Sequence, residues 1–97
     1  METYVILRRA GWRSPDELRD DVERSKAACS GMPDDVRWIR SYVVEEADGR
    51  VGTVCVFEAS SVEALHLHAG RADLPVDEII KVGDTVVVRP DPVPVGH

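Results

Sequence analysis

The sequence predicts an α+β fold in which two helices cover one face of an antiparallel sheet. Three observations predict it. Two serine-led segments carry apolar residues at helical spacing, β-rich runs lie before, between and after them, and Asp48-Gly49 separates two of those runs where a hairpin needs positive φ.

Taken in order, residues 4–7 (Tyr4, Val5, Ile6, Leu7) form a short, wholly apolar run that stops at Arg8-Arg9 and reads as the first strand. Ser14-Pro15-Asp16-Glu17 then combines a capping serine, a proline in the first turn and a glutamate three residues after the cap. Leu18, Val22, Ser25 and Cys29 follow on one helical face and Gly31 and Pro33 end the helix. Residues 36–46, with Trp38, Ile39, Tyr42, Val43 and Val44, are expected as a long strand, and residues 51–57 return as its antiparallel partner. Ser60-Ser61-Val62-Glu63 offers a second cap with Glu63 at the third helical position, Val62, Leu65 and Ala69 mark the buried stripe, and Leu74-Pro75 closes the helix. Residues 79–82 read as a strand and residues 85–89 as an extra one, separated by a break at Gly83-Asp84. The order is β-α-β-β-α-β, the ferredoxin-like plan, in one domain over residues 1–89 with an extended proline-rich tail over 90–97.

Eighteen acidic against twelve basic residues give a net charge of −6, the wrong sign for neutralising phosphates, so no nucleic-acid partner is expected. No run of about 18 apolar residues exists and the first residues lack a secretory leader, so the chain is placed in the cytoplasm, away from the membrane. In that setting Cys29 and Cys55 read as free thiols. Half-buried strands alternate apolar with polar residues; these do not. Tyr4 and Ile6 oppose Val5 and Leu7, and Cys55 and Phe57 oppose Val54 and Val56, so both sheet faces are apolar while the helices roof only one. A homodimer through the open face is the simplest way to cover the other.

The segments Trp38-Ile39-Arg40-Ser41-Tyr42, Cys55-Val56-Phe57-Glu58-Ala59, Leu65-His66-Leu67-His68-Ala69 and Leu74-Pro75 lie in an order and at spacings that resemble a family of small bacterial ferredoxin-like proteins that includes a nickel-binding member. The resemblance spans about residues 4–82. It departs at Asp73, where glycine is usual, at the longer hairpin near Gly49 to Gly52, and after Val82. It implies a dimer that binds or sequesters Ni²⁺ and matches His68 to the family histidine.

Candidate metal ligands are Glu63, His66 and His68. On a helix His66 and His68 point about 200° apart, whereas Glu63 and His66, three apart, share a face. Each has a plainer role: Glu63 as a capping acid, His66 beside the buried stripe, His68 as a hydrogen-bonded boundary residue. Asp73, Asp77 and Glu78 are candidates for an oxygen-rich site or for simple solvation. Trp38, Tyr42, Cys55 and Phe57 are candidates to line a pocket between sheet and helices, or to fill the core and the dimer contact. The sequence has no glycine-rich phosphate loop, CxxC pair, HExxH or serine nucleophile motif, so no organic cofactor is expected. Three functions stay open: a metal-binding protein without turnover, an enzyme of the dimeric α+β barrel kind (monooxygenase-like) using His68, Tyr42 or Cys55 for proton transfer, and a module whose apolar face is itself the functional surface.

Overall fold

The first strand runs well past the apolar run that announces it. In the computed structural model, which describes residues 1–93, β1 spans Glu2–Trp12. Tyr4, Ile6 and Arg8 all turn toward the helices, so the arginine expected to end the strand instead continues its inward side. The register shifts between Arg8 and Trp12, with Ala10 in the left-handed region at φ 48°, and the shift brings Trp12 inward. Gly52 faces this irregularity: a Cβ there would lie 2.6 Å from the Arg8 carbonyl oxygen, so the two backbones meet only because residue 52 has no side chain.

Helix α1 spans Pro15–Ser30 and begins as expected, with Ser14 Oγ accepting from the Glu17 amide at 3.3 Å. Strand β2 (Val36–Glu45) and strand β3 (Val51–Ala59) pair antiparallel across the Asp48-Gly49 turn, where Gly49 takes φ 86°. Two residues of β2, Ile39 and Arg40, oppose one step of β3. Helix α2 spans Val62–Ala72 and its cap is Ser61, whose Oγ accepts from Ala64, while Ser60 donates to Asp35. Glu63 therefore sits one residue nearer the cap than expected. Asp73 closes α2 in the left-handed conformation at φ 54°, which explains why glycine suits that position. The final strand, β4, is Glu78–Lys81.

The four strands lie in the order β2-β3-β1-β4 with every neighbouring pair antiparallel. This α+β arrangement with two helices is compatible with the ferredoxin-like plan. The extra strand expected over residues 85–89 does not form: after the Val82 amide bonds to Thr3 the chain leaves the sheet, and Val86, Val87 and Val88 stand at 86, 75 and 85% exposure. The arm is held further on, where Asp91 accepts from the Tyr42 hydroxyl at 2.8 Å and pairs with Arg40 at 2.9 Å. The last part of the tail, residues 94–97, lies outside the described residues. Among the described residues no helix is long and apolar enough to cross a membrane.

Tyr4, Ile6, Cys55, Phe57 and Leu65 form the main core between sheet and helices, and Trp12, Leu18 and Val51 form a second cluster. On the opposite face Val5, Leu7, Val54 and Val56 are only half-buried, and Tyr42 and Ile80 flank them at 44% exposure each.

Candidate functional site

Beneath the helices the core holds an unusual concentration of polar groups. Ser25 and Cys29 descend from α1, His68 from α2, and Arg8, Thr53 and Cys55 rise from the sheet. His68 is fully buried, and its Nε2 lies 3.3 Å from the Ser25 carbonyl oxygen, 3.2 Å from Ser25 Oγ and 3.3 Å from Cys29 Sγ. A carbonyl only accepts, so Nε2 carries the hydrogen and Nδ1 is left as a buried acceptor without a partner among the described residues. Phe57 packs against this imidazole at 5.2 Å and stacks on Trp38 at 5.9 Å, with the latter planes 5° apart.

Burial pushes the His68 pKa down, the Ser25 carbonyl opposes this, and the Arg8 charge adds to the lowering. The unfolded chain then binds the proton more readily than the folded one, so stability is full above the unfolded value near 6.5 and falls as pH drops through it. Thermal unfolding followed from about pH 7.5 to 5 should give a falling midpoint, and His68→Gln should flatten that slope. Equal slopes in the two proteins would remove His68 as the cause. Burial likewise raises the Cys29 thiol, and a neighbour that donates rather than accepts cannot deprotonate it.

The second group centres on Arg8, whose side chain lies in the core at 2% exposure. Its Nη1 donates to Cys55 Sγ at 3.2 Å, and Cys55 donates on to Thr53 Oγ1 at 3.3 Å. Its Nε and Nη2 have no partner among the described residues. Burial draws the Arg8 pKa down, with Cys55 opposing. Beside it lies a cavity of about 40 Å³, with Trp12, Leu18, Val22, Trp38 and Phe57 among its walls.

Of the residues expected to line a pocket, Trp38, Cys55 and Phe57 meet at this cavity, while Tyr42 faces away on the open side of the sheet. The volume is well below the few hundred Å³ of an ordinary small-molecule site. Glu63 and His66 stand exposed on the outer side of α2, apart from buried His68. Among the described residues no three His, Cys, Asp or Glu side chains are grouped to hold a metal. Asp73, Asp77 and Glu78 are exposed, and Asp77 accepts from the Arg9 amide. Arg8 was not expected at the site: a charged pair after an apolar run looks like a strand end, and only the every-second-residue continuation from Tyr4 and Ile6 points inward.

No curated protein matches the chain. Among solved structures, the crystal structure of SCO4226 from Streptomyces coelicolor A3(2) is similar, with a TM-score of 0.68 and 21% identity, covering 87% of this chain and 99% of that one. At that identity the likeness speaks for the fold. The family model described as nickel responsive protein SCO4226-like matches residues 4–82. The chain is thus a member of the SCO4226-like family of nickel responsive proteins.

Proposed function

We propose that the chain is a cytoplasmic homodimer that binds Ni²⁺ or a similar divalent cation without turnover. The observation that carries the metal reading is the family match over residues 4–82, a family described as nickel responsive. The exposed pair Glu63 and His66 supplies a carboxylate and an imidazole to one ion, and water fills the remaining positions. His68 takes no part, because its side chain is buried and its Nε2 faces Ser25 and Cys29.

The dimer reading rests on the uncovered face of Val5, Leu7, Val54 and Val56. A four-stranded face offers roughly 300 to 400 Å² in projection. A stable interface buries about 800 Å² per partner. The exposed valines of the arm, Val86 to Val88, bring further apolar area to the same contact.

Equilibrium dialysis against Ni²⁺ with metal analysis tests the metal assignment. The protein should retain Ni²⁺, and Glu63→Gln with His66→Ala should lower the retained metal at least about tenfold, the loss from giving up one good ligand interaction. Unchanged retention in the double variant removes these two residues from the account.

A further inference from the structure

The family match ends at residue 82, and the arm begins there. Among the described residues the arm is fastened at two points. The Val82 amide donates to the Thr3 carbonyl at 2.9 Å, next to β4 at one edge of the sheet, and Asp91 takes up Tyr42 and Arg40 on β2, the opposite edge. Arg40 and Tyr42 stand opposite Val56 and Val54, so the second fastening lies on the open side. Between the two points the one hydrogen bond among the described residues is local, from the Thr85 amide to the Asp84 carboxylate. The valines Val86 to Val88 therefore gain nothing from their own chain and stay at 75% exposure or more. An arm held only by its end keeps the same contacts when that end is seated on a second copy, which is how identical chains exchange an element at little cost.

We propose that the arms are exchanged in the dimer, with Asp91 of each protomer seated on the partner's Arg40 and the partner's Tyr42. The inference rests on the face-to-face dimer proposed above. A two-fold axis running along the strands lays β4 of one protomer over β2 of the other, about 10 Å away, and the exchanged arm steps across that gap at the margin of the contact. Kept on its own chain, the same arm has to cover three strand spacings, about 14 Å, on the side where the second sheet packs, and holds that sheet off. Exchange also brings three valines out of water to close the rim of the apolar contact. That addition matters because the sheet face alone, roughly 300 to 400 Å², falls short of the about 800 Å² per partner that a stable interface buries.

Which chain pairs with which decides the matter. Arg40→Asp and Asp91→Arg placed in one chain reverse the latch and leave the net charge unchanged, at two positions that are each about half exposed. Equal amounts of this double variant and the isotope-labelled unaltered chain are equilibrated together, and their dimers are counted by native mass spectrometry. With exchanged arms every mixed dimer sets arginine against arginine and aspartate against aspartate. Its share should then fall at least about fivefold below the statistical half, because two exposed charge pairs turn from attraction to repulsion. With arms kept on their own chains every latch is intact and the mixed dimer takes half of the total, which overturns the exchange while the dimer stands. A monomeric unaltered chain overturns both. The converse mixture puts Arg40→Asp and Asp91→Arg on separate chains, which should pair with each other in preference to themselves. A statistical distribution there overturns the exchange by an independent route, so the question is decided even if the double variant fails to fold.

Discussion

Phe57→Ala should remove about 3–5 kcal/mol of folding stability, the cost of truncating a core aromatic. Phe57 is 1% exposed, stacks on Trp38 and packs at a tilt against His68. Its loss leaves a cavity and also unseats the buried imidazole. A domain this size holds only about 5–15 kcal/mol in total, so about a fifth or more of the fold's stability depends on one ring. Denaturant titration should show the midpoint shift at an unchanged slope, and Phe57→Leu should recover most of the loss. A shift worth under about 1 kcal/mol for the alanine variant would mean that the stack is not the keystone described.

The second large effect concerns assembly. Light scattering on the unaltered protein at micromolar concentration should give the mass of a dimer, and Val54→Lys with Val56→Lys should give a folded monomer. The two valines sit on neighbouring positions of the uncovered face, and each lysine would have to be buried unpaired at the contact, a penalty of several kcal/mol per charge. In a monomer the same lysines meet water and cost little. A monomeric unaltered protein, or a double variant that still pairs, contradicts the dimer proposed here.

Much of this molecule can be read from the chain because its signals are local. The Ser14 cap, the Gly49 turn and the helical stripe through Leu18 and Ser25 each depend on a few adjacent residues, and each stands where local chemistry places it. Four features are not local. The Arg8 side chain is buried because β3 and α1 close over it. Ser61 rather than Ser60 caps α2 because Asp35, far away in sequence, takes the Ser60 hydroxyl. Residues 85–89 have the composition of a strand but pair with no strand among the described residues. Trp38 and Tyr42 stand four residues apart, which on a regular strand means the same face. The extra residue at Ile39 reverses that parity, and Tyr42 emerges on the other side.

The joining of Asp91 to Arg40 and Tyr42 gives the arm a latch. Both ends of the segment between Lys81 and Asp91 are tied, so its valines are displayed in a more restricted set of positions than on an arm trailing freely. The ion pair is exposed on both sides, hence screened by salt. Ionic strength therefore acts as a dial on how firmly the arm is cocked, and two molecules that meet in dilute buffer would present a different profile to each other from two that meet in brine.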